Sequence, residues 1–209
     1  MSFQRRIRGS GSLPIALTVG AIITVALYFY SPLQLPTMAE PSLFLANLQL
    51  SLSQSASRSP SITVSVKNTH SDTPVTILKW NSPLDPAALG LGQVSILPAG
   101  SSEPIHNDAI KISRIMPPGA ESLITLRPGE SAENTVELRE PRVPDGIWKQ
   151  GKAKVTMRGR WMAVWPGLTT EDLLQHPEKL QGVGAGEGSL IGNWETETIE
   201  VGKQGDGDL

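Results

Sequence analysis

Cysteine is absent from the 209 residues of this chain, which excludes a disulfide framework, a zinc–thiolate site and a cysteine nucleophile. Histidine is scarce, and His70, His106 and His176 lack the close spacing of a metal site. The sequence has no HExxH motif, no GxSxG elbow and no N-glycosylation sequon. We therefore predict no metal, no cofactor and no catalytic residue set.

Neither sign of charge predominates, because 18 basic residues nearly balance 20 acidic ones and the formal net charge is only −2. Arg5, Arg6 and Arg8 are the charged residues of the first 39, whereas the segment from Glu187 onward holds six acids against one lysine, Lys203. The body between these ends is close to neutral. Such a body has no general attraction for nucleic acid, so no nucleic-acid partner is expected.

One long apolar run is present near the N-terminus, at residues 13–30, directly after the basic segment 1–12. Its eighteen residues carry no charge. A cleavable signal usually has an apolar core of about 7 to 15 residues, whereas a membrane anchor needs roughly 17 to 25. The length favours a single-pass anchor with a cytoplasmic N-terminus over a signal peptide cleaved near Ala39. In both cases the following domain enters the secretory pathway.

Glycine and proline are abundant, at 20 and 17 residues, and they separate short apolar clusters. This spacing of turns is typical of a β-sandwich or barrel. Alternating or apolar runs predict strands at 48–52, 62–66, 75–80, 94–97, 110–115, 122–126, 135–138, 152–165 and 191–201. We expect a proline-rich stalk at 31–43, the domain at 44–202 and a disordered acidic tail at 203–209.

Two local patterns refine this outline. The stretch from Val64 to Pro86 predicts a hairpin that leads into the centre of a sheet. The sequence TTEDLL predicts a short inserted helix near 169–180, with Thr169 as its cap. We expect the five tryptophans to fill the core, with a ligand-stacking platform as the alternative.

A basic ridge follows from the alternation of strand 152–165, because its small and apolar residues share one face and its charged residues the other. The ridge is formed by Lys152, Lys154, Arg158 and Arg160. It is a candidate surface for an acidic partner, a phosphate or a lipid headgroup. The competing interpretation, which we favour, is that it pairs with Glu195 and Glu197 on the next strand.

The loops 81–92 and 98–107 are the candidate contacts for a protein partner, and the acids at or beside them are Asp85, Glu103 and Asp108. An alternative function uses these acids in a secreted hydrolase or carbohydrate-acting protein, which needs paired carboxylates roughly 5 to 9.5 Å apart. A third is a structural, membrane-tethered domain without a ligand.

The turn at Asn68-Thr69, the segment from Val75 to Pro86 ending WNSPLDP, and the later GRWMAVW from Gly159 resemble a group of small secreted fungal proteins. These are similar in turn to the non-catalytic pro-region of deuterolysin-type zinc metallopeptidases. Ser82 replaces the threonine of that pattern, and the peptidase part is missing, so proteolysis is not implied. The resemblance implies an immunoglobulin-like β-sandwich of about seven strands that binds another protein, with a secreted protease as one partner.

Overall fold

A computed structural model describes residues 41–57, 59–182 and 188–203. The strands are β1 (Leu48–Gln54), β2 (Ser61–Asn68), β3 (Val75–Leu78), β4 (Val94–Leu97), β5 (Leu123–Leu126), β6 (Ser131–Glu137), β7 (Ala153–Pro166), β8 (Leu190–Glu195) and β9 (Ile199–Val201). The α-helices are α1 (Pro41–Leu45) and α2 (Thr170–Gln175), and short 3-10 helices occupy Ala120–Ser122, Asp145–Gln150 and Pro177–Leu180. The predicted all-β architecture is confirmed.

The leader lies outside the described residues, as do most of the predicted stalk, residues 183–187 and most of the predicted tail. Within the described ranges, no helix is long and apolar enough to cross a membrane. The end of the predicted stalk is not extended, because Pro41–Leu45 forms α1.

The first sheet has three antiparallel strands in the order β1-β2-β6. Its alternation is the one that the sequence predicts: Leu48 and Leu52 are buried on β1, and they lie opposite Asn68 and Val64 of β2. Apolar residues recur at every second position because neighbouring side chains of a strand point to opposite faces. One face of this sheet therefore forms a wall of the core.

The second sheet is built around β7, whose 14 residues pair with four other strands. Val164 pairs with Ile77 of β3 and with Leu190 of β8, so these two strands lie on opposite edges of β7. Near its other end β7 pairs with β4 and β9 in the same way, and β5 completes the sheet beside β3. A bulge between Trp161 and Val164 interrupts the register with β8.

The core lies between the two sheets. Val64 and Val66 from the first sheet and Ile77, Val155 and Met157 from the second belong to one buried apolar cluster. A smaller cluster lies under α2, where Leu173 packs with Trp165. The predicted sandwich is thus confirmed by the packing as well as by the strand order.

The tryptophans fill this core as predicted, with one exception. Trp148, Trp161, Trp165 and Trp194 are at least 94% buried, whereas Trp80 is half-buried. Strand β3 ends at Leu78, and Trp80 packs against the edge of the smaller cluster. Trp80 is therefore the one tryptophan that does not fill the core as predicted.

The predicted hairpin between β2 and β3 is wrong, because the two strands belong to different sheets. The segment between them crosses from one sheet to the other, and the fully buried Asn68 fixes the crossing. Its side-chain amide donates to the carbonyls of Thr73 and Leu126, at 2.9 Å each, and its Oδ1 accepts from the amide of His70 at 3.0 Å. A turn that looks like a hairpin in sequence is a passage between layers.

Two further strand predictions need correction. Residues 110–115 form no strand, and the predicted strand 191–201 is divided into β8 and β9. The division has a local cause: Thr196 turns its hydroxyl back to accept from the amide of Met157 at 3.0 Å and to donate to the carbonyl of Glu197 at 2.9 Å. The inserted helix is confirmed, with Thr169 and Asp172 forming a capping box before α2.

Candidate functional site

A groove of about 700 Å³ opens where β7 and β8 lie side by side, next to the end of the loop that joins β3 to β4. Charged and polar side chains line it, and Gly159 and Trp194 pack closely against each other within it. Its lining residues are Asn81, Leu91, Gly92, Gln93, Arg158, Gly159, Arg160, Asn193, Trp194 and Glu195. We refer to it as the arginine groove.

The two arginines enter the groove because they occupy the outward positions of β7. Val155, Met157 and Trp161 point into the core, so Arg158 and Arg160 between them point to solvent. Two of the four residues of the predicted ridge therefore line the groove. The other two do not line it: Lys154 lies opposite Glu200 of β9, and Lys152 precedes β7.

The expected pairing of the ridge with two glutamates is half right. Arg158 lies opposite Glu195 in the register of β7 and β8, and Arg160 lies opposite Asn193. Glu197, however, faces the other sheet, where its carboxylate accepts from the amide of Leu52 at 2.6 Å. Glu197 covers the edge of β1 and leaves the groove with two arginines against one acid.

The floor of the groove is organised by the backbone carbonyl of Asn81. It accepts from Gln93 Nε2 at 2.6 Å and from the indole Nε1 of Trp194 at 3.1 Å. Asn81 has a positive φ of 56°, which turns its carbonyl toward these donors. Because the Nε2 of Gln93 faces this carbonyl, the Oε1 of Gln93 points away from the carbonyl. This Oε1 has no hydrogen-bond partner among the described residues.

Gly159 allows this close packing. A Cβ at that position would lie 2.6 Å from Trp194 Cζ2 and 3.0 Å from Gln93 Nε2. Asn81 belongs to the loop 81–92 that the sequence indicates as a candidate contact, whereas Gln93, directly after that loop, was not predicted as a site residue. A glycine inside an otherwise regular strand signals a close approach of this kind, and it could have drawn attention to the position.

Of the three candidate acids, the buried Asp85 does not form a catalytic pair with Glu103 or Asp108. Asp85 is fully buried, and its carboxylate accepts from Arg114 at 2.7 Å and from the backbone amides of Asn81 and Ala87 at 2.8 and 3.0 Å. Glu103 and Asp108 are exposed, and Asp108 meets His106 at 2.9 Å. Asp85 is therefore a structural anchor and is not available as the loop contact that the sequence suggested.

Two further features of the described residues bear on chemistry. No group of three or more His, Asp or Glu side chains is placed to hold a metal ion in these ranges. Hydrogen bonds from the backbone amide and the hydroxyl of Thr169 lower the pKa of Asp172 below its usual value, and this effect belongs to the cap of α2. Neither feature adds a residue to the arginine groove.

A family model for the immunoglobulin-like domain matches residues 47–203. A protein of Arthroderma benhamiae described as an uncharacterized secreted protein is 30% identical over 183 residues, covering 86% of this chain and 87% of that protein. The predicted likeness to a secreted fungal protein is confirmed by this relative. The further likeness to the deuterolysin pro-region stays a prediction.

Proposed function

Because this chain belongs to the immunoglobulin-like domain family, we propose that it is a non-enzymatic module that binds another protein outside the cytosol. The observation that carries the proposal is the arginine groove, in which the exposed Arg158 and Arg160 lie beside Asn193 and outnumber its one acid, Glu195. Guanidinium groups bind carboxylates through paired hydrogen bonds. The groove therefore fits an acidic segment of a partner.

The burial of Asp85 supports a binding function over the hydrolase alternative. All the hydrogen bonds of its carboxylate go to the protein itself, to Arg114 and to two backbone amides. A general acid or base must reach the substrate, directly or through one water molecule. Asp85 is committed to holding its loop, so it supplies neither role in this arrangement.

The proposed location outside the cytosol rests on the leader and on the relative. The chain begins with a basic segment followed by the apolar run 13–30, and the similar fungal protein is named as secreted. Fractionation and N-terminal sequencing of the expressed protein test this proposal. A mature start near Glu40 in the medium indicates secretion, whereas an intact N-terminus in membranes indicates an anchor. Recovery in the cytosol would contradict the proposal.

A capture experiment tests the groove. Wild-type protein and the charge-reversed variant Arg158→Glu/Arg160→Glu are used to capture proteins from the secretory fraction, and the captured proteins are identified by mass spectrometry. The matched control is Lys152→Glu/Lys154→Glu, which makes the same charge change on the ridge outside the groove. We expect the arginine variant to lose a partner that the lysine variant retains. Equal capture by all three proteins would argue against the groove.

A secreted protease is the partner class that the resemblance to a peptidase pro-region favours. The direct measurement is the activity of the captured peptidase with and without the purified domain. A change that the arginine variant abolishes would support regulation of the protease. Unchanged activity at saturating domain would leave binding in place and remove the regulatory role.

A further inference from the structure

A surface segment with the composition of a strand has no strand partner. The residues Ile110–Met116, which we call the open segment, read IKISRIM, and their pattern predicts a strand at 110–115. Ile110 donates its amide to the carbonyl of Gly90 at 2.9 Å. In the described part of the chain, no backbone hydrogen bond involves residues 111–116. The backbone N–H and C=O groups of residues 111–116 are therefore unpaired within the described ranges, like those at the free edge of a β-sheet.

The open segment is nevertheless held in place. The side chain of Arg114 reaches the buried carboxylate of Asp85 at 2.7 Å, and its guanidinium lies 5.7 Å from the ring centroid of Trp80. Ile112 is half-buried like Arg114, whereas Lys111, Ser113 and Ile115 between and beside them are exposed. This alternation is that of an extended chain, so the backbone is preorganised for addition of a strand.

Exposed apolar side chains are concentrated on the same segment. Of the five large hydrophobic residues that are exposed in the described ranges, Ile110, Ile115 and Met116 lie here. Ile115 is 87% exposed, more than any of the others. A cluster of exposed apolar residues on an unpaired backbone indicates a surface that is covered by a protein.

We propose that the open segment pairs antiparallel with the same segment of a second copy of this chain, about a two-fold axis at Ser113. In this register Ile110 lies opposite Met116 and Lys111 lies opposite Ile115. Apolar residues then meet at both ends, and no two like charges face each other. A register centred on Arg114 would place two arginines directly opposite, which is unfavourable.

The charges beside the open segment complement this arrangement. Ile115 and Glu121 line the same groove of about 360 Å³, and neither Glu121 nor Lys111 takes part in an ion pair within the described residues. Because Lys111 of the second copy lies opposite Ile115, its ammonium group comes to the groove that Ile115 and Glu121 line. Each copy supplies the cation that the other lacks. This pairing does not depend on the arginine groove.

The absence of cysteine makes a direct test possible. Facing Cα atoms of an antiparallel pair are about 4.5 to 5.5 Å apart, within the range of a disulfide. Full-length Ser113→Cys should therefore form a covalent dimer under a mild oxidant, seen on a non-reducing gel. Ser101→Cys is the matched control, because Ser101 is an exposed serine on another stretch of loop. We expect it to stay mainly monomeric.

A charge-swap series tests the register. Ile115→Lys in the Ser113→Cys background puts two lysines opposite each other and should lower the cross-link yield several-fold. Adding Lys111→Glu converts both contacts to opposite charges and should restore the yield. Circular dichroism confirms that each variant is folded. Equal cross-linking of Ser113→Cys and Ser101→Cys, or no effect of Ile115→Lys, would overturn the proposal, and cross-linking to a different secreted protein would assign the open segment to that partner.

Discussion

Replacing Arg114 with methionine removes the cation from a buried ion pair and leaves the carboxylate of Asp85 in place. Asp85 has no solvent exposure, and Arg114 is 26% exposed at its side chain. After the substitution, the carboxylate keeps two backbone N–H donors, from Asn81 and Ala87, and loses its charged partner. We expect a large loss of stability, because an uncompensated buried charge is more costly than a missing surface contact.

The size of the effect follows from this geometry. Removing one partner of a buried pair costs roughly 3 to 5 kcal/mol, and the two remaining donors favour the lower end, about 3 kcal/mol. In a chain of this length, each kcal/mol shifts the midpoint of thermal unfolding by roughly 2 to 4 °C, so Tm should fall by about 6 to 12 °C. Arg139→Met is the control, since its ion pair with Glu137 at 2.6 Å is exposed on both sides.

Thermal unfolding followed by circular dichroism measures both variants. The exposed pair should contribute about 0 to 1 kcal/mol, which keeps the Tm of Arg139→Met within about 4 °C of wild type. The double variant Asp85→Asn/Arg114→Met also removes the unpaired carboxylate charge. Its loss of stability should therefore be smaller than the sum of the losses of the two single variants. If Arg114→Met lowers Tm no more than Arg139→Met does, the reasoning about the buried pair is refuted.

Three other substitutions test the packing and the cap. Gly159→Ala drives a methyl group into Trp194 and should cost about 1 to 3 kcal/mol by denaturant unfolding, whereas Gly146→Ala, with no neighbouring atom within 4 Å, should change little; equal effects would contradict the close approach. Thr169→Ala should cost about 1 kcal/mol. Folding lowers the pKa of Asp172 below its usual 3.8, so the stabilisation from its carboxylate is complete above that pH and is lost as the pH falls through the folded-state pKa. Asp172→Asn should therefore weaken the loss of stability at acid pH. An unchanged loss of stability at acid pH would refute the assignment.

The predictable part of the fold is the part that depends on local alternation. In β7 the buried residues Val155, Met157 and Trp161 alternate with exposed Lys154 and Arg158, and the sequence alone predicts that arrangement. A strand with one buried face must place apolar side chains at every second position. By the same alternation Arg158 and Arg160 share one outward face of β7, whichever strand pairs with it.

Local alternation does not identify the partner of a strand. It predicts correctly that β2 and β3 are strands, but their assignment to different sheets depends on Asn68, whose amide reaches Leu126, 58 positions away in sequence. Residues 110–115 show the same limit in the other direction, since their strand-like pattern has no neighbour to pair with. Pairing is decided by distant segments, on which a local period carries no information.

The floor of the arginine groove was unpredictable for a related reason. Its central contact joins Asn81 to the indole of Trp194, 113 positions later, through a backbone carbonyl rather than a side chain. That carbonyl is in place because Asn81 has a positive φ. Nothing in the residue types at these positions specifies such a contact, although glycine at 159 is the one residue whose size permits it.

Asn81, in the loop between β3 and β4, connects the arginine groove with the open segment, because its carbonyl and its amide serve different sides. The amide of Asn81 donates to Asp85, which holds Arg114, while the carbonyl of Asn81 accepts from the side chains at the groove floor. A substitution at Arg114 can therefore disturb both surfaces at once. Ile115 is largely exposed and takes no part in this network, so a variant at Ile115 changes the open segment alone. If Arg114→Met, assayed at a temperature at which circular dichroism shows it to be folded, weakens partner capture and Ile115→Lys does not, the effect is transmitted through Asp85 and Asn81 to the groove.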